Sequence, residues 1–193
     1  MRKTLLGLTC LTVISPSVYA FNLAKICESG TYHRISGNIQ TKNISETEQE
    51  GTILLNLYKV KGFKKKKVAS TNGSISGQIT NQNGFSITLN HNITLENGLG
   101  EVYTHNDQAY VTGVTEFAKD DSGKLLLDPS TNLPTPCGFT VIEQIMDISG
   151  STGLFKNATG KLTAFGTINM CPQNIQNAVD NQFSITGYTC LEN

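Results

Sequence analysis

Between Phe85 and Glu96 the chain alternates without a break. Phe85, Ile87, Leu89, His91, Ile93 and Leu95 take one side, and Ser86, Thr88, Asn90, Asn92, Thr94 and Glu96 take the other. A period of two sustained over this length is strand periodicity. A strand with one apolar and one polar side belongs in an antiparallel sheet, which buries one face and wets the other. Asn83-Gly84 and Asn97-Gly98 bracket the run. Asn-Gly tolerates the positive φ that tight hairpin turns demand, so neighbours are expected on both sides.

The rest of the chain repeats this theme more faintly. Thr31–Ile39, Thr52–Val60, Asn72–Thr80, Leu99–His105, Gln108–Phe117, Cys137–Ser149, Lys161–Cys171 and Phe183–Cys190 all read as strands. Thr41–Gly51 is polar and acidic and reads as a loop, Asn106-Asp107 as a turn between two strands, and Lys119–Pro136 as a long connection. A short helical turn is expected after Pro172. Leu162, Ala164, Gly166, Ile168 and Met170 form one apolar face of a late strand. Many short strands separated by turn signals indicate an all-β fold, an antiparallel closed barrel of about eight strands, with a β-sandwich as the runner-up.

The first twenty residues read as a targeting segment. Arg2-Lys3 precede an apolar run from Leu5 to Ile14, and Val18-Tyr19-Ala20 presents small residues where a signal peptidase cuts. The apolar run is too short and too interrupted for a transmembrane span. Gly7-Leu8-Thr9 before Cys10 fits a lipid-anchor signal poorly. Residues 21–193 then form one barrel domain, exported to a periplasm or beyond the cell. Lys plus Arg and Asp plus Glu are equal in number, which removes any global electrostatic case for nucleic acid.

Gly150-Ser151-Thr152-Gly153-Leu154-Phe155-Lys156-Asn157-Ala158-Thr159-Gly160 is the most distinctive punctuation in the chain. Its glycines permit positive φ or close backbone contact, and Phe155 offers an apolar anchor. If this stretch closes a hairpin, Cys137 and Cys171 lie almost symmetrically about it and face each other across the strands. Four cysteines remain beyond the targeting segment, an even number that in an exported chain favours two disulfides. Elimination then pairs Cys27 with Cys190. The spacing lacks the close C-x-x-C and compact histidines of a zinc site.

The pattern G-x-T-G-x-F-x-x-A-x-G, carried by Gly150, Thr152, Gly153, Phe155, Ala158 and Gly160, resembles the hairpin signature of the dirigent and allene oxide cyclase barrel superfamily. That resemblance implies an eight-stranded antiparallel barrel with an apolar cavity. Plant members guide radical coupling of phenols or cyclise an unsaturated fatty-acid epoxide. The matching residues imply turn and packing roles, and no catalytic residue carries over.

Candidate chemistry is sparse. No G-x-S-x-G elbow is present, and His33, His91 and His105 are scattered without metal-ligand spacing, so neither a metal nor a cofactor is expected. His91 falls on the apolar face of the clearest strand and reads as a hydrogen-bonded barrel histidine. Glu101, Tyr103 and His105 share one side of a short strand, able to transfer a proton if that side faces inward and merely solvated if it faces out. Glu143 and Asp147 share a face with Val141 and Ile145, as an acid–base pair or as groups returned to solvent by a bulge. Lys59, Lys61, Lys64, Lys65, Lys66 and Lys67 surround Phe63 as a basic patch, either an anion site or a solvated turn. Asp120-Asp121-Ser122-Gly123 lacks the full spacing of a calcium loop.

The leading expectation is therefore a disulfide-stapled barrel that binds a small apolar or amphipathic ligand inside. Phe85, Ile87 and Leu89 would supply apolar contact, with His91 fixing orientation; Glu101, Tyr103, His105 and Glu143 complete the candidate set. The alternatives are a cyclase, isomerase or dirigent-type enzyme using the same cavity, and a surface or host-interaction protein using the basic turn and the long loop. Ligand identity and oligomeric state lie beyond the sequence.

Overall fold

Eight antiparallel strands follow in chain order: β1 (Thr31–Asn43), β2 (Glu48–Lys61), β3 (Lys64–Asn83), β4 (Ser86–Leu95), β5 (Gly100–Phe117), β6 (Pro136–Ile145), β7 (Thr159–Asn169) and β8 (Asn181–Leu191). Each pairs with the next. β8 returns to β1, from Thr31 opposite Leu191 to Thr41 opposite Asn181, and closes the barrel. Closure leaves no unpaired sheet edge. This computed structural model describes residues 26–61, 64–174 and 180–192. The stretch read as a targeting segment, with Cys10, and Phe63 lie outside the described residues, as does the side chain of Lys61.

The meander sorts the connections to two ends. The β1–β2, β3–β4, β5–β6 and β7–β8 links lie at one, here the upper end, and the β2–β3, β4–β5 and β6–β7 links at the other. Asn97 and Gly98 take the positive φ expected of the β4–β5 turn. Two disulfides join Cys27 to Cys190 and Cys137 to Cys171. The first ties the N-terminal segment to the last strand, and the second pins β6 to the chain leaving β7. Among the described residues no helix is long and apolar enough to cross a membrane.

Several boundaries differ from the sequence expectation. Thr41–Gly51 is strand except for residues 44–47. Thr41 is buried and Asn43 and Gln49 are half-buried, yet all three are partnered: Asn181 Nδ2 donates to Thr41 Oγ1 at 3.0 Å and to Asn43 Oδ1 at 2.8 Å, and Thr41 Oγ1 donates to Gln49 Oε1 at 2.6 Å. Satisfied polar groups can occupy inward positions that alternation assigns to apolar ones. The lysine run is likewise strand, with Lys61 opposite Lys64 and the ammonium of Lys65 3.9 Å above the Tyr58 ring. β6 stops at Ile145 rather than at Ser149, and Met170, placed on the inner face by alternation, is exposed beyond the end of β7. Within the long β5–β6 link, Asp120 and Asp128 each accept backbone N–H bonds from residues shortly after them, the Asx-turn device.

The Gly150–Gly160 stretch closes the lower part of the barrel. β6 contacts only the upper half of β5, ending with Gln108 opposite Gln144. Below that point the segment after β6 takes over the exposed edge. Thr152 N–H donates to Glu101 O at 2.8 Å, Leu154 N–H to Leu99 O at 2.9 Å, and Tyr103 N–H to Ser151 Oγ at 3.1 Å. Gly153 is required here, because it has φ +60° and a Cβ would stand 2.3 Å from Leu99 O. The tight passage delivers Phe155, Ala158 and Ile148 into the main core with Ile35, Leu55 and Val102. Burying a side chain the size of Phe155 contributes about 1.5–3 kcal/mol.

Candidate functional site

One polar layer interrupts the aliphatic interior. Alternation along β4 turns His91 inward, where Thr104 and Asp107 of β5 and Glu143 of β6 meet it. All four are buried. Strict alternation cannot bring both Thr104 and Asp107 to one face, since they are three residues apart. A β-bulge does so: Leu89 stands opposite Asp107 and His91 opposite Thr104, leaving one extra residue on β5. Asn106 absorbs it at φ +55°, with its N–H held by Asn90 Oδ1 at 2.8 Å. Glu143 lies between Ala109 and Ala164 on the neighbouring strands, and these small buried residues leave space for its side chain.

The groups converge on one ring nitrogen. His91 Nδ1 is 2.9 Å from Asp107 Oδ2 and 3.4 Å from Glu143 Oε1. Thr104 Oγ1 donates to Asp107 Oδ2 and accepts the backbone N–H of His91 at 3.0 Å. Among the described residues, Asp107 Oδ1 and Glu143 Oε1, both buried, have no hydrogen-bond partner. Burial pushes the Glu143 carboxyl above the ordinary glutamate range, and the charge of Asp107 adds to the rise while His91 opposes it. Burial works against a charge on His91, but the negative Glu143, with the hydrogen bond and charge of Asp107, outweighs it and lifts the imidazole above 6.5.

Above the polar layer lies a cavity of about 220 Å³ open at the upper end. Ile87, Leu89, Val111, Phe139, Ile168 and Phe183 help to wall it, and Glu143 reaches it from within the barrel. Below lies a chamber of about 20 Å³, bordered by His91, Thr104, Glu143 and aliphatic side chains. Glu143 is thus common to both spaces. The lower half is packed and the upper half is open.

The structure distributes the sequence candidates unevenly. Ile87, Leu89, His91 and Glu143 are brought together. Phe85 is not on the inner face: it sits in the β3–β4 turn, 73% exposed, at the cavity rim. Glu101, Tyr103 and His105 lie outside the barrel, because Val102 and Thr104 take the inward positions between them. There the Tyr103 hydroxyl donates to Glu101, which raises its pKa, and His105 Nε2 lies 3.1 Å from Ser149 O. Asp147 does not share the Glu143 face, since β6 ends before it; it is exposed and caps the Ser149 N–H. Lys59 and Lys64–Lys67 are exposed at the β2–β3 hairpin, at the end opposite the cavity mouth.

Asp107 and Thr104 are not among the sequence candidates, because Asn106-Asp107 reads as a turn. The signal was present. Inward residues fall on even numbers at Val102 and Thr104 and on odd numbers at Ala109 and Val111, and such a change of parity within a strand marks a bulge. No protein-family model matches the chain, no curated protein matches it, and no solved structure matches its fold.

Proposed function

We propose that this is an exported, disulfide-stapled barrel that binds a small apolar or amphipathic ligand in its upper cavity. The observation that carries this reading is the cavity itself, walled by Ile87, Leu89, Val111, Phe139, Ile168 and Phe183 with polar residues of the β1–β2 link at its side, and furnished with a buried carboxyl from Glu143. Apolar burial would supply most of the affinity, and Glu143 with the polar Gln49 and Asn181 that also line the space would supply the orientation. At about 220 Å³ the space is smaller than the pockets of about 300–1,000 Å³ that take drug-sized ligands. The ligand class is therefore a short-chain or single-ring molecule. Kinship with the dirigent and allene oxide cyclase barrels belongs to the same proposal, supported by the Gly150–Gly160 pattern. Export is supported by the N-terminal targeting pattern and by two disulfides, which persist in oxidising compartments.

Native mass spectrometry of protein taken from its exported fraction tests the reading. A copurifying small mass that disappears when Ile168→Phe fills the cavity is the expected result. No retained ligand after exposure to lipid and phenolic extracts would overturn it and favour a surface-interaction protein. Chemical conversion of the retained molecule would move the reading to a cyclase or isomerase.

A further inference from the structure

We propose that His91, Asp107 and Glu143 form a binding site for one divalent transition-metal ion beneath the upper cavity. The ligand-bearing atoms of the three residues all lie within 4.8 Å of one another, and all three side chains are buried. Two carboxyls meet one imidazole nitrogen, and with both ionised the cluster carries one more anionic group than a protonated His91 neutralises. Such an excess inside a protein is costly unless something balances it. A divalent ion beside a neutral imidazole and two carboxylates balances it in full.

The orphaned oxygens point the same way. Buried carboxylate oxygens normally take hydrogen bonds, yet Asp107 Oδ1 and Glu143 Oε1 have none among the described residues. Glu143 Oε1 is also the atom 3.4 Å from Nδ1, so it is aimed into the cluster. The outer contacts that orient metal ligands are in place: Thr104 Oγ1 donates to Asp107 Oδ2, and the bulge at Asn106 fixes the direction of Asp107.

The donor set selects the class of ion. One nitrogen and two carboxylates suit Zn²⁺, Mn²⁺ or Fe²⁺, whereas Ca²⁺ takes about six to eight oxygen ligands. Three protein ligands leave a coordination position free, the arrangement of zinc sites that exchange water for another ligand. The three residues come from three strands, so no short spacing motif announces them. The inference does not rest on the ligand reading, because the cluster lies beneath the cavity and would hold an ion whether or not an organic molecule binds above it.

The test uses the full exported chain, freed of metal by chelation and titrated with ZnCl₂ and MnCl₂ by calorimetry. One ion per chain is expected for at least one of the two metals. Asp107→Asn and Glu143→Gln should each weaken binding by about tenfold or more, as loss of ligand-sphere groups does. In the unaltered chain, Zn²⁺ should shift the ring resonances of His91 and leave those of His33 and His105 in place, a readout independent of how the variants fold. Absence of one-to-one binding of either ion, a shift at another histidine instead, or undiminished affinity in both variants overturns the site. The cavity-filling Ile168→Phe variant should still bind the ion, which separates failure of the ligand reading from failure of this one.

Discussion

The Asp107 carboxylate lies 2.9 Å from Nδ1 of His91, although strict alternation would set Asp107 on the opposite side of β5 from Thr104, the other partner of His91. The extra residue at Asn106 resolves the conflict. The polar layer therefore depends on a backbone irregularity as much as on its side chains.

That dependence can be measured at Asn106, which holds φ +55°. A β-branched residue disfavours this conformation, and the left-handed region costs an ordinary residue about 1–2 kcal/mol. Asn106→Val should lower stability by about that amount in denaturant unfolding, whereas Asn106→Gly should be nearly neutral. Equal stability of the two variants would mean that the bulge relocates freely along β5.

Phe155 tests the closure of the lower end. It is 5% exposed and packs with Ile35 and Leu55 beneath the barrel. Phe155→Ala should cost about 3–5 kcal/mol, as large-to-small core changes of this kind do. Binding of a hydrophobic dye should rise as the lower core opens. A loss below about 1 kcal/mol would show that the Gly150–Gly160 segment is an ornament on an already closed barrel.

The disulfides should differ in weight. Cys27 and Cys190 are separated by 163 residues and Cys137 and Cys171 by 34. If the main effect is to restrict the unfolded chain, the longer closure stabilises by about 1.4 kcal/mol more. Paired serine variants compared by guanidinium unfolding should show the Cys27–Cys190 pair to be the costlier loss. The reverse order would assign the effect to local packing around Cys137, Cys171 and Ala118, which form a small buried cluster of their own.

Acid stability should carry a signature from Glu116. Gln173, then Asn169 and Asn174, donate hydrogen bonds to its carboxylate and hold its pKa below the ordinary 4.5. A folded pKa below the unfolded one contributes stability that is present above about pH 4.5 and is lost as pH falls through the folded value. Glu116→Gln should flatten the stability profile on the acid side of pH 4.5, and by little, since the group is open to solvent and screened. An unchanged acid limb would show that these amides make no net difference between the charged and neutral forms.

The legible parts of this protein were those set by local rules. The Phe85–Glu96 alternation and its Asn-Gly brackets follow from strand geometry and from the backbone freedom of turn residues, and they define β4 and its lower turn. Near-symmetry of Cys137 and Cys171 about the Gly150–Gly160 stretch was enough to pair them. Parity could also turn His91 inward. It went wrong at Phe85, because alternation does not say where a strand begins, and at Thr41–Gly51, because it cannot see that Asn181, 140 residues from Thr41, satisfies the buried hydroxyl.

By itself, then, the sequence determined the all-β character, the antiparallel pairing, the Cys137–Cys171 disulfide and which side of β4 is buried, since each depends on neighbours along the chain or across one hairpin, and the even cysteine count left Cys27 to pair with Cys190. Only the tertiary structure decided that Asp107 and Glu143 meet His91, that Glu101, Tyr103 and His105 face outward, and that the upper half of the barrel is open. Those outcomes depend on register across β4, β5 and β6. A single inserted residue such as Asn106 reverses the facing of everything beyond it, and no local pattern encodes which strand will stand opposite.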